Sequence, residues 1–253
     1  MATNTASEKE APLVEVIDQE EDFLGAFKCA CAAFGHQTND AIWTCLNPGW
    51  DTPEGQARGA AGMVKRWRSV TTDKNGNPNT VFLKATLPDQ DGCRVIVGQA
   101  IWVQASMVDG HGEPPSDDIR SSMDPAALYP GDEAEQRYCG QLWRSLFRRR
   151  VEVVREKAAS AANPPSVMVL DLCATDPAFQ RRGVASALVR WGLDEVRRRR
   201  IPEATTEASS MGRLVYERLG FRPEGPEIAY EVDGEFASRE RPSNVFMRTG
   251  GGS

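Results

Sequence analysis

The richest chemistry in the sequence lies in one stretch, Leu172-Cys173-Ala174-Thr175-Asp176-Pro177-Ala178-Phe179-Gln180-Arg181-Arg182-Gly183-Val184-Ala185, which joins an apolar strand to an amphipathic helix through a tight loop. The first amides of such a helix have no intrahelical acceptor and carry partial positive charge, so they form an anion site. Gly183 and the small Ala185 let a ligand approach the backbone, and Arg181 and Arg182 add full charges. This combination suits a diphosphate, although it is neither a GxxxxGK phosphate loop nor a GxGxxG dinucleotide turn. Just upstream, Asp171 is the one acid in the apolar run Val167–Ala174. Strand alternation predicts one face for residues 169, 171 and 173. Burial there would raise the pKa of Asp171 toward that of a general base; a salt bridge or structural hydrogen bond is an equally open role. Cys173 could act as a covalent nucleophile, but no histidine lies near it in sequence to activate it.

The elements that must hold these residues follow from periodicity. Val167–Ala174 reads as a central strand. In the helix after the loop, Ala185, Leu188, Val189, Gly192, Leu193 and Val196 form one apolar stripe. Strands are predicted over 13–17, 81–86, 94–103, 203–208, 227–232 and 244–248, and helices over 20–34, 52–70, 133–161 and 210–219, the last stopping at Gly220. Thr38–Asp51 holds Trp43, Trp50 and a Pro-Gly turn, and 105–132 reads as a long loop rich in Pro, Gly, Ser and Asp. The runs Arg148–Arg150 and Arg197–Arg200 read as solvated helix faces. The pattern is one α/β domain over 11–248, with a loop-plus-helix insertion at 105–165, a disordered lead-in over 1–10 and a flexible tail over 249–253.

Composition removes several classes of function. Thirty-six acidic against 30 basic residues give a net charge of −6, a poor match to nucleic-acid phosphates, so no nucleic-acid partner is expected. No apolar run approaches the roughly 20 residues of a membrane span. Six cysteines without a CxxC pair and only two histidines predict no metal site. A polar N-terminus without an apolar core predicts no secretory signal, hence reduced thiols and a cytoplasmic or nuclear location.

Two motifs in order then identify a family resemblance. Gln180–Ala185 fits the Q/R-x-x-G-x-G/A signature of the GNAT acetyltransferase superfamily. Ser209-Ser210-Met211-Gly212-Arg213-Leu214-Val215-Tyr216-Glu217-Arg218-Leu219-Gly220-Phe221 is similar to that family's N-x-x-A-x-x-x-Y-x-x-x-G-F, with Ser209 for the Asn and Gly212 for the Ala. Val97–Trp102 looks like the family's third strand, and the overall style resembles fungal members. The two motifs span 166–221, and a weaker likeness runs over 11–248.

The resemblance implies a single domain whose central mixed, mostly antiparallel sheet is splayed at the cofactor site. Helices would cover both faces, and a long insertion would precede the central strand. It implies acetyl-CoA as co-substrate, no metal, and direct acetyl transfer to an amine, most simply that of a small molecule. Backbone groups of Cys173, Ala174 and Thr175 would pair with the pantetheine arm, and an amide near Leu172–Cys173 would face the thioester oxygen. Amides of Arg181, Arg182, Gly183, Val184, Ala185 and Ser186, with Gln180, would hold the pyrophosphate. Ser209 would touch the cofactor arm, Tyr216 would protonate the departing thiolate, and Asp171 would be the base. Trp43, Trp50 and Trp67 read mostly as core, while the resemblance implies that the segment around the first two helices would wall the acceptor pocket. A protein or peptide acceptor, and a non-catalytic acetyl-CoA-binding regulator, are the alternatives; the retained Tyr216 argues against the second.

Overall fold

Alternating apolar residues build seven strands in the computed structural model, which describes residues 10–250. They are β1 (Leu13–Val16), β2 (Thr80–Pro88), β3 (Arg94–Ala105), β4 (Val167–Thr175), β5 (Ala204–Ser209), β6 (Arg222–Glu227) and β7 (Asn244–Arg248), arranged in one sheet in the order β1-β2-β3-β4-β5-β7-β6. All neighbours are antiparallel except β4 and β5. The helices are α1 (Asp22–Ala30), α2 (Ala41–Leu46), α3 (Pro53–Arg68), α4 (Pro125–Leu128), α5 (Glu133–Ala159), α6 (Val184–Arg199) and α7 (Arg213–Arg218).

Strand alternation sorts the core onto two faces. Val167 and Val169 of β4 point into a cluster with Phe23 and Phe27 of α1, Ala60 of α3 and Val153 and Val154 of α5. Met168 and Leu170 point the other way, against Leu188 and Val189 of α6 and Tyr216 of α7. Full burial of a side chain such as Leu188 or Phe23 contributes about 1.5–3 kcal/mol, so the helices clamp β4 from both sides. The mixed, mostly antiparallel sheet with helices on both faces is the expected fold.

Several boundaries differ from the sequence expectation. The helix predicted over 20–34 changes at Cys31 into a π-helix, Cys31–Gln37, which carries Phe34 and His36. The following segment is not all turn: Asp40 accepts a hydrogen bond from the Trp43 amide (2.9 Å) and caps α2. The long loop contains α4, capped by Asp124. The strand expected at 227–232 lies instead at β6. Residues 228–232 turn their apolar side chains, Ile228, Tyr230 and Val232, into the cluster around Tyr138 and Leu142 of α5. The cleanest departure at the ends is Thr249, expected in a flexible tail: its amide donates to the Ala204 carbonyl and its hydroxyl accepts from the Ala204 amide. Glu10, expected to be disordered, pairs with Arg94 at 2.5 Å. Residues 1–9 and 251–253, the remainder of the expected lead-in and tail, lie outside the described residues.

The expectation of reduced thiols fails at one pair. Cys45 at the end of α2 and Cys139 in α5 form a disulfide across 94 residues of chain. Neither cysteine sits in a spacing motif. They meet because Ile42 of α2 and Leu142 of α5 pack into one cluster, and nothing in the linear sequence announces that contact.

Candidate functional site

The parallel ladder between β4 and β5 is very short. Only Met168↔Ala204 and Val169↔Thr205 pair. At the next position the Thr206 hydroxyl donates to the Leu170 carbonyl (3.0 Å), and beyond it the strands separate. Asp171 is also the extra residue of a bulge: Leu170 faces Trp102 and Leu172 faces Ile101 across β3, with Asp171 unmatched. The bulge turns Asp171 and Leu172 toward the α1/α3/α5 face and Cys173 toward α6 and α7. This corrects the single face predicted for residues 169, 171 and 173. Past the bulge, the β5 side of β4 is an unpaired strand edge inside the molecule, where backbone groups can meet an extended ligand.

The strand ends beside the loop predicted to hold a diphosphate. The Gln180 side chain donates to the Thr175 carbonyl (3.4 Å) and exchanges amide hydrogen bonds with Gln37 of the π-helix (2.8 and 3.2 Å). Arg181 and Gly183 both have positive φ, +58° and +84°. That turn swings the chain into α6 with the first amides, Val184, Ala185 and Ser186, pointing out of the helix end. A side chain at residue 183 would be strained by the left-handed backbone alone. Arg182 stacks on Phe179, 5.4 Å from its ring centre, which leaves its charge near the loop. The Thr175 hydroxyl is buried without a partner at the mouth of the cleft. An unpaired edge, an orphan hydroxyl and outward amides in series fit an amide-bearing arm that ends in a diphosphate.

Tyr216 is buried in the same apolar cluster as Cys173. Burial, then the neighbouring Cys173, holds the phenol pKa well above its ordinary value, so Tyr216 keeps its proton. Burial pushes the Cys173 thiol up to about 12, which leaves it a poor nucleophile. Gly212, where the family motif has Ala, now has a reason: a Cβ there would lie 2.5 Å from the Tyr216 ring and 3.0 Å from its hydroxyl. Ser209, at the end of β5, pairs with Asn244 and accepts the Gly212 amide at its carbonyl (3.0 Å), so its position is fixed by main chain.

Of the two roles open to Asp171, a general base or a salt-bridge partner, its surroundings are those of the second. Its carboxylate accepts from Arg150 (2.6 Å) and from Arg66 (2.9 Å), and despite burial these two guanidiniums hold it well below the usual carboxylate range. Its proton affinity is therefore lowered, whereas a base working near neutral pH needs it raised. Arg150 also pairs with Glu207 of β5 through both carboxylate oxygens and stacks 4.1 Å over Phe147. The arginine run read as a solvated face thus contains one buried member. Its signal was in the sequence: Leu146, Phe147, Val151 and Val154 put residue 150 inside the apolar stripe of α5. Glu207 had no such signal. Burial, opposed by Arg150, raises its pKa.

An aromatic cluster packs on the α1 side of the sheet. Phe34 and Trp43 lie tilted with ring centres 5.9 Å apart, Trp43 and Trp50 meet edge to face at 5.9 Å, and these side chains pack in the same cluster as Leu172. Burial raises the pKa of Asp40, which caps α2, and of Tyr230, which packs in the cluster around Tyr138 and Leu142. Among the described residues no helix is long and apolar enough to cross a membrane, and no three His, Cys, Asp or Glu cluster as metal ligands.

Residues 153–233 match the sequence profile of the acetyltransferase (GNAT) domain, a span that holds β4, β5, the Gln180–Ala185 loop and Tyr216. No curated protein matches the sequence. Among solved structures, the chain is similar to arylalkylamine N-acetyltransferase 2 from Aedes aegypti, with 14% identity, coverage of 94% of this chain and 98% of that one, and a TM-score of 0.57. It is similar to a Drosophila melanogaster polyamine N-acetyltransferase that forms N-acetylagmatine, with 12% identity, 94% and 97% coverage and a TM-score of 0.54. The histone acetyltransferase HPA2 and related acetyltransferase of Corynebacterium glutamicum gives 19% identity, 96% and 98% coverage and a TM-score of 0.51. At these identities the likeness is one of fold.

Proposed function

We propose that this chain, an acyltransferase carrying a GNAT domain, moves the acetyl group of acetyl-CoA to the primary amine of a small molecule by direct transfer in a ternary complex. The observation that carries the reading is the early end of the β4–β5 ladder, which opens a cleft between the left-handed turn at Gly183 and the buried hydroxyl of Tyr216. Acetyl-CoA, when bound, supplies the activated thioester. The chain does the rest. Amides of Arg181 to Ser186 bind the pyrophosphate, with Gln180 bracing the loop against Gln37 and Thr175, and backbone groups of Cys173 to Thr175, with Ser209, align the arm. An amide near Leu172–Cys173 faces the thioester oxygen, where charge develops during attack, and a fixed donor there lowers the barrier. Tyr216 delivers its proton to the departing sulfur.

The acceptor arrives as an ammonium. A lysine-like amine with a pKa of about 10.4 needs about 4 kcal/mol to lose its proton at neutral pH. We assign that proton to water in the cleft in place of Asp171, whose two oxygens are taken by Arg150 and Arg66. We place the acceptor beside Leu172, where the cluster of Phe34, Trp43 and Trp50 would favour an apolar or aromatic body, in keeping with neighbours whose names specify arylalkylamines and polyamines.

A screen for released CoA across arylalkylamines, polyamines, agmatine, amino acids, aminoglycosides and peptides tests this. Turnover is expected with at least one small primary amine. Turnover with peptides alone would move the acceptor to protein, and acetyl-CoA binding without CoA release from any amine would make the chain a non-catalytic binder.

A further inference from the structure

The two strands part in steps, and each step is bridged differently. At Val169 and Thr205 the backbones pair. One residue on, the Thr206 hydroxyl reaches the Leu170 carbonyl at 3.0 Å. One residue further, a carboxylate stands on each strand, Asp171 on β4 and Glu207 on β5, and the Arg150 guanidinium lies between them. Beyond this point no side chain of the described residues is hydrogen-bonded from β4 to β5. Arg150 is therefore the last tie across the cleft before the region assigned to the ligand arm.

We infer that Arg150 is a positioning residue: its guanidinium stands in for the missing β4–β5 backbone pairs and fixes the width at which the cleft opens. The geometry is specific to arginine. One nitrogen meets Asp171 at 2.6 Å while the other edge of the fork grips both oxygens of Glu207, so two carboxylates are held at a set distance by one rigid plane. Phe147 supports the plane from below at 4.1 Å, and Arg66 takes the second oxygen of Asp171, so neither partner can swing away. The Arg150 side chain is 9% exposed and that of Glu207 4%, which removes water as a competing partner. A lysine ammonium is a single point charge without the planar fork, so it could not hold both carboxylates at a set spacing. Without the guanidinium, two buried carboxylates would face each other across the cleft, and the strands would separate or the carboxylates would take up protons.

The inference uses the acetyltransferase reading only for its effect on ligand binding; the strand spacing itself is a property of the free protein. The experiment compares wild type, Arg150→Lys, and the charge-free combination Arg150→Met/Asp171→Asn/Glu207→Gln, which avoids stranding an unpaired buried charge. Hydrogen exchange on the free proteins is expected to rise about tenfold or more at residues 172–175 and 206–209 in the combination, less in Arg150→Lys, with β2 and β3 protected as in wild type. The calorimetric Kd for CoA should weaken about tenfold in the same order. Exchange that is unchanged at these segments, or raised evenly over the whole sheet, would overturn the inference and leave Arg150 a stability residue. If the combination does not fold, Arg150→Lys decides by the same two segments. A wild type that binds no CoA would sink the acetyltransferase reading, while the exchange comparison still decides the role of Arg150.

Discussion

Replacing Tyr216 with phenylalanine should lower kcat about 100-fold and leave the Kd for acetyl-CoA within about twofold. General acid catalysis contributes about 10²- to 10⁴-fold, and the low end applies because a thiolate with a pKa near that of free cysteine, about 8.5, can leave without full protonation. Tyr216 suits the task because burial keeps its phenol protonated, and because Gly212 leaves room for the ring beside the cleft. Phenylalanine retains the packing on Phe221, 5.9 Å away, so a loss of rate would reflect the hydroxyl alone. Cys173→Ala is the companion variant. Its thiol packs in the same cluster as Tyr216 but is itself held protonated by burial, so most activity should remain and no acetyl group should be trapped on residue 173. Full kcat in Tyr216→Phe would make Tyr216 a packing residue; ping-pong kinetics with labelled Cys173 would replace direct transfer by a covalent route.

Breaking the Cys45–Cys139 bond should cost about 4–5 kcal/mol of stability. That figure follows from the chain entropy restored to the unfolded state when a loop of this length is opened, since the bond spans 94 residues. For a chain of this size each kcal/mol shifts the melting temperature by about 2–4 °C, so reductant, or Cys45→Ala with Cys139→Ala, should lower it by about 10 °C or more. The same bond anchors α2, which carries the Asp40 cap and Trp43, to α5, which carries Arg150. A thermal melt with and without reductant reads the effect. Identical curves, with mass spectrometry showing both cysteines as free thiols before reductant is added, would mean that the pair does not crosslink.

The strand, loop and helix around the proposed cofactor site were legible in the sequence, because their signals are local. The Gln180–Ala185 loop, the stripe of α6 and the 209–221 motif each lie within a dozen or so consecutive residues, and periodicity alone gives the strand and helix that flank the loop. The acceptor half was not legible. Asp171 looked like a base because its strand neighbours are apolar, but its pKa is decided by Arg66 and Arg150, which lie 105 and 21 residues away. The bulge that separates Asp171 from Cys173 depends on the register of β3, which no alternation pattern within β4 encodes. The π-helix at Cys31–Gln37 likewise keeps the apolar spacing of an α-helix and shows itself only in the hydrogen bonds. Arg150 is the instructive case, since its place in the apolar stripe of α5 was available and was outweighed by its charged neighbours.

Calorimetric titration of the wild-type protein with acetyl-CoA tests the central claim most directly, because the cleft and the Gly183 turn are proposed to exist for that ligand. The account predicts one site per chain and a rise in melting temperature on binding. It also predicts at least about tenfold weaker binding in Gly183→Leu, whose side chain the left-handed backbone resists, and a smaller loss in Arg181→Ala, since the loop works mainly through its amides. No heat and no thermal shift with either acetyl-CoA or CoA would contradict it.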